Sequence, residues 1–314
     1  MASNTEEQKP FNSEPLPSSA PDPKPNAPPP KPTSRSLRKL VNETDTFLAR
    51  LSVILSTPAG TDSLLRTLTY TLQFLSGALS TIATKHLETV ARNLAAKVLQ
   101  VPLLPNETLV VALRYPAPIM ARIAPRARAL SGLISDFRAF TRLWGLLGMY
   151  QWGKGLWSGV AAPKDGVLLA CAWGQCLAYT AYQILENRAY LAGKGVIGLD
   201  GKLILRDWLW SSRCWMFAVG LEFIRLGRVR QKWNIADKKR REDGAVASEE
   251  AKKKRREEVV QWRKDLVVNL ANSPLTLHWS VDGGTLDDTT VGFLGTLAGI
   301  IGFSERWNAT ASKV

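Results

Sequence analysis

Three cysteines (Cys171, Cys176 and Cys214) and two histidines (His86 and His278) are the side chains of this 314-residue chain best suited to nucleophilic or metal chemistry. The two histidines lie far apart and in no zinc-ligand spacing. No G-x-S-x-G, P-loop or Cys-x-x-Cys pattern occurs, so no enzymatic activity, metal or cofactor is expected. Cys171 and Cys176 fall inside an apolar stretch and read as small packing residues. Three cysteines cannot build a disulfide framework, and they suit a reducing compartment. Gly193-Lys194-Gly195-Val196-Ile197-Gly198 has the glycine spacing of a dinucleotide-binding turn. That chemistry needs a preceding strand and an acid about 20 residues on. The preceding TAYQILENRAYLA reads as helix, and Asp200 and Asp207 come too early, so the segment is expected to be a loop.

The chemistry that remains is electrostatic. A net charge of +14, on a chain that is 45% hydrophobic and 22% charged, favours a polyanionic partner, either anionic lipid or nucleic acid. Residues 225–264 hold 15 basic and 7 acidic side chains, including KKRR (238–241) and KKKRR (252–256). Three readings fit this run: a salt-bridged, solvated linker, a membrane-adjacent loop that attracts anionic headgroups, or a bipartite nuclear-import signal. It contains no recognisable nucleic-acid motif and no aromatics interleaved through its clusters, so no nucleic-acid partner is expected.

Residues 118–150 carry +4, and within 125–150 the charge is sorted by face. At about 100° per residue, Leu130, Leu133, Ile134, Phe137, Phe140, Trp144 and Leu147 fall within an arc of roughly 140°. Arg128, Arg138 and Arg142 lie opposite, beside Ser131 and Ser135, while Arg126 breaks the pattern. A basic polar face backed by bulky aromatics describes a helix lying in a membrane interface. The same pattern also suits a surface helix packed on its own bundle.

The elements that must position this helix read as all-α. Residues 1–40 form a proline-rich arm, which cannot bury enough surface to order itself. In 41–117, Asp62 can cap a helix whose Leu65, Leu68, Leu72, Leu75, Leu79 and Ile82 recur every three or four residues, and a second stripe runs from Leu87 to Val101 before Pro102 and Pro105. Both stripes read as core faces of a bundle. In 151–224, the 20 uncharged residues 166–185 are long enough for one membrane crossing of ~30 Å, with Trp152 and Trp157 as interfacial anchors. A buried helix of a soluble bundle is the alternative. The region 205–226 reads as amphipathic or protein-packed, and the charge bias of 225–264 favours a second crossing near 205–224 over a single one. In 265–314 the uncharged run 289–304 is short for a crossing, and its Gly295 and Gly299 form a small-xxx-small pair suited to helix–helix packing. The fold expected is therefore an all-α, membrane-associated helical bundle with amphipathic helices and one or two membrane-embedded apolar helices. The C-terminal Ser312-Lys313-Val314 differs from the S-K-L peroxisomal address only in its last residue.

Two stretches carry a family resemblance. AGTDSLLRTLTYTLQFLSGAL (59–79) and LVVNLANSPLTLHWSVDGGTLDDTTVGFLGTLAGIIG (266–302) together resemble the opening and closing signatures of the peroxisomal biogenesis factor 11 family. Thr69, Ser273 and Ala298 depart from the residues usual there. The resemblance implies a non-enzymatic protein of the peroxisomal membrane that promotes elongation, tubulation and fission of the organelle, self-associates, and works with the fission machinery. It places the family's membrane-remodelling helix on 125–150. Arg128, Arg138 and Arg142 then become the expected contacts to an anionic phospholipid membrane, and Leu130, Leu133, Ile134, Phe137, Phe140, Trp144 and Leu147 the wedge. A small-solute channel or transporter is the competing reading, with Gln175, Gln183 and Arg213 as its polar lining.

Overall fold

The computed structural model describes residues 35–98, 119–243 and 248–312, all in helices or short connections. Residues 1–34 of the arm, Pro102, Pro105 and the last two residues of the tail lie outside them. The helices are α1 (Arg35–Leu55), α2 (Pro58–Val98), α3 (Ile119–Thr141), α4 (Leu146–Trp157), α5 (Gly166–Gly193), α6 (Gly201–Glu242), α7 (Glu249–Trp279) and α8 (Asp288–Ala309), with a 3-10 turn at Arg142–Trp144 between α3 and α4. The chain divides into two units, Met1–Phe47 and Leu48–Val314. The described part of the first is the start of α1, where the Thr44 hydroxyl donates to the Leu40 carbonyl. Within the second, the helices pack in the order α3, α2, α8, α7, α6, α5, α4, and the 3-10 turn and α3 close the circuit onto α5.

Helix starts are set by caps. Asp165 accepts from the Val167 and Leu168 amides, Ser248 from Ala251, and Asp287 from Thr289 and Thr290. These side chains satisfy amide donors that have no partner within the helix. Asp62, expected as a cap, is internal to α2, because Pro58 begins that helix where a missing N–H costs nothing.

The interior mixes small and polar side chains with a few large apolar ones such as Leu226 and Leu275, and many large apolar side chains lie outside. Thr69, Ser76 and Ala83, spaced seven apart on α2, are buried, while Leu68, Leu75 and Ile82 are exposed. None of the leucine stripe expected to face the core is fully buried: Leu65, Leu72 and Leu79 are partly buried and the other three point outward, because α2 turns its small residues inward, where close approach needs them. Of the second stripe, Leu87 is exposed and Val90 and Leu94 are partly buried, while Val101 lies outside the described residues. On α6 the exposed series is Leu203, Trp210, Phe217 and Ile224, whereas Asp207, Ser211 and Ala218 are buried. The glycine seam of α8 explains how closely helices can meet. A Cβ at Gly292 would overlap the Phe74 backbone of α2, one at Gly295 the Tyr70 ring, and one at Gly299 would lie 2.9 Å from Thr67 Oγ1. Gly292→Ala should cost about 1–3 kcal/mol in chemical denaturation, since backbone cannot move aside as a side chain tip can.

Among the described residues no helix is long and apolar enough to cross a membrane. The expected crossing at 166–185 lies in α5, which buries Gln175, Gln183 and Glu186. Gln175 donates to the Ala218 carbonyl and to Glu222 of α6, and Asp207 takes a bidentate pair from Arg188 at 2.5 and 2.7 Å. These polar groups suit a helix satisfied by neighbouring helices. The run 225–264 forms the end of α6 and the start of α7, apart from its undescribed residues 244–247. Asp237 pairs with Arg255 across the two helices, Trp262 donates to the Leu226 carbonyl, and Arg255 stacks on Trp233 at 4.1 Å. The glycine-rich segment 193–198 is the turn from α5 to α6, with Gly195 at φ +76. No strand precedes it, which removes the dinucleotide-binding geometry.

Candidate functional site

The helix α3 is seated on α2 by its polar side. Ala124, Ser131 and Arg138, seven residues apart, are its buried residues. Their small size or reach permits close contact with Thr69 and Ser76. The Ser131 hydroxyl donates to the Thr69 carbonyl at 2.8 Å, and the Ser76 hydroxyl returns a bond of 2.8 Å to the Ala124 carbonyl. Hydroxyls paired with backbone in this way remove the penalty of burying them. Two turns further on, Arg138 Nε donates to Asp62 Oδ1 at 2.9 Å.

The C-terminal end of α3 is fixed to α5. Arg142 in the 3-10 turn makes a two-pronged contact with Glu186, Nε to Oε2 at 3.0 Å and a terminal nitrogen to Oε1 at 2.7 Å. The Tyr182 hydroxyl adds a third donor to Glu186 at 2.7 Å. Burial, followed by the charge of Glu186, pushes the Tyr182 hydroxyl far above its ordinary pKa, so it stays a donor. Gln183 donates to the Arg142 carbonyl and Asn187 to the Leu143 carbonyl, which satisfies the acceptors left free where α3 ends.

With its polar face inward, α3 turns its apolar face outward. Leu133 is 68% exposed and Leu147 69%, with Leu130, Phe137, Phe140 and Trp144 about half exposed and Ile134 intermediate. Phe140 and Trp144 meet edge to face at 5.7 Å, which stiffens the middle of this face. The expected single helix over 125–150 is broken after Thr141, so five of the seven residues expected to act as a wedge lie on α3, Trp144 on the 3-10 turn and Leu147 on α4.

The arginines are placed differently from the sequence expectation. Arg138 is buried against Asp62 and Arg142 is held by Glu186, so neither is presented to the outside in this arrangement. Arg128 is exposed and pairs with Asp288 at 3.0 Å. The reason is geometric: helix-wheel sorting separates two faces but does not say which one meets the protein. Arg122 and Arg126 are exposed and have no ion-pair partner among the described residues. The same 100° arithmetic puts both on the side of Leu130 and Trp144, so the signal was present in Arg126 breaking the pattern.

Among the described residues no cluster of His, Cys, Asp and Glu could hold a metal ion. Cys171 and Cys176 are buried in α5, and burial pushes both thiols above their ordinary pKa, away from the reactive thiolate.

The profile of the family described as Peroxisomal biogenesis factor 11 (PEX11) matches residues 108–307, which span α3 to α8 and include the second of the two signature stretches. The first, 59–79, lies before the match. An uncharacterized protein of Schizosaccharomyces pombe is 31% identical over 121 residues, 38% of this chain and 50% of that protein. The chain therefore spans about half the length of this curated relative. No solved structure matches. The match runs over more than half of the chain and through every helix that holds the α3 seat except α2, so the chain belongs to the peroxisomal biogenesis factor 11 family, whose role is in peroxisome biogenesis.

Proposed function

We propose that this protein acts on the peroxisomal membrane, where α3 inserts its apolar face into one leaflet and drives elongation and tubulation that lead to fission and proliferation. The observation that carries this reading is the outward apolar face of α3, held in place by a polar seat on its other side. A helix lying in the interface sinks about 5–10 Å into the headgroup and acyl boundary, which expands that leaflet and favours curvature. Arg122 and Arg126 supply the headgroup contacts in this version, each adding about 1 kcal/mol near an anionic surface before salt screening. The apolar stripes on α2 and α6 give self-association a surface, which concentrates wedges on one patch of membrane.

The test is tubulation of vesicles by the full chain. Vesicles containing an anionic phospholipid should bind the protein and form tubules, and purely zwitterionic vesicles should bind much less. Equal binding to both, or binding without any change of shape, would count against the proposal.

A further inference from the structure

A cavity of about 590 Å³ lies inside the circuit of helices, and we propose that it is a phosphate-binding site. Its wall includes Arg66 and Tyr70 of α2, Tyr179 of α5, Trp208 and Trp215 of α6, and Trp279 of α7. Arg66 also lines two smaller spaces of about 380 and 240 Å³, so its guanidinium stands where three hollows meet.

The wall offers many donors. Among the described residues Arg66 has no carboxylate partner, and its one side-chain bond is to Asn272 Oδ1 at 2.8 Å. The guanidinium offers five N–H donors and accepts nothing, and indole offers one donor only. The hydroxyls of Tyr70 and Tyr179 and the indoles of Trp208, Trp215 and Trp279 make no hydrogen bond to the described residues, and none of them is a sealed orphan, so they are open to the cavity. The one acid on the wall, Glu186, already accepts two bonds from Arg142 and one from Tyr182. A ligand that satisfies these donors must bring several acceptor oxygens and negative charge. Phosphate has both, and its tetrahedral oxygens can be met from several helices at once, whereas a carboxylate presents two oxygens in one plane.

Size and access admit phosphate as a free ion or as a lipid headgroup. A volume of this order, within the roughly 300–1,000 Å³ of small-molecule sites, exceeds what a bare ion fills. Trp215 and Trp279 stack at 5.6 Å and form an apolar wall for an attached body. Helices α3 and α6 are not packed on each other, and the exposed Ser135 and Trp208 mark the gap between them as the mouth.

The experiment follows tryptophan fluorescence of the full chain in neutral maltoside micelles during titration with inorganic phosphate, dihexanoyl phosphatidate or dihexanoylglycerol. A saturable change with either phosphate compound and not with dihexanoylglycerol is expected. Phosphatidate alone would assign the site to a lipid headgroup, and inorganic phosphate at matching affinity to the free ion. Arg66→Gln should weaken binding by about tenfold or more, the size of a lost charge-assisted hydrogen bond. Tyr179→Phe, which keeps the ring and removes only a hydroxyl, should weaken it severalfold with thermal unfolding unchanged. The proposal is overturned if neither phosphate compound saturates, if dihexanoylglycerol binds as well as phosphatidate, or if both variants bind like the parent. No bilayer is involved, so this result is independent of tubulation by α3.

Discussion

Replacing Leu133 and Phe137 together by glutamate should abolish tubulation of anionic vesicles and lower their binding by at least about a hundredfold. Both side chains face outward, Leu133 with 68% of its surface exposed and Phe137 with 51%. Burying one large apolar side chain contributes about 1.5–3 kcal/mol, so losing two removes about 3–6 kcal/mol of insertion free energy, to which two like charges at an anionic surface add. The same change should leave the unfolding midpoint in denaturant nearly where it was, because neither residue is buried against α2 or α5. Co-sedimentation with vesicles and electron microscopy read the first effect, and urea unfolding reads the second. A double variant that still made tubules would move the remodelling activity to another surface of the bundle.

Arg142→Met should destabilise the fold by about 3–5 kcal/mol, the loss typical when one member of a buried pair is removed and the other stays charged. Glu186 is the reason, since its side chain is only 6% exposed while that of Arg142 is 30% exposed. The conservative repair is Arg142→Met with Glu186→Leu, which places two apolar groups where the pair stood and should recover most of the loss. Tyr182 limits that recovery, because its hydroxyl loses the acceptor it now has at 2.7 Å. Urea denaturation of both variants against the parent measures the difference. Equal stability of parent and single variant would show that the pair does not hold the end of α3.

Periodicity made the helical class legible, and it singled out residues 125–150 as the element with two chemically distinct sides. What it could not supply was the direction in which each side points. Bulky leucines on α2 suggested a core, yet close helix packing selects Thr69, Ser76 and Ala83 for the inner side and leaves Leu68, Leu75 and Ile82 outside. On α3 the series Ala124, Ser131 and Arg138 is the matching signal, and it is easily missed because two of its members are small and the third is charged. Gly295 and Gly299 were readable because a missing side chain at helical spacing has few other uses, and both face α2. The charge run hid two long helices, since a high density of Lys, Arg and Glu reads as solvated chain. Within it, pairs such as Lys238 with Glu242 and Lys252 with Glu249 lie one helical turn apart and support the helices. The arginine-lined cavity was not legible at all, because Arg66, Tyr179 and Trp279 come together only through tertiary packing.

The seat of α3 has a thermal consequence. It includes two hydroxyl–carbonyl hydrogen bonds and an ion pair between α2 and α3. The heat capacity of separating two surfaces follows the apolar area that becomes wet. The polar bonds of the seat therefore add no positive heat-capacity change when α3 is lifted from α2, and they do not weaken on cooling as apolar contacts do. An oily interface would loosen on cooling. Under the proposed function, these polar bonds hold α3 on the bundle across the temperatures at which the surrounding lipid stiffens and softens.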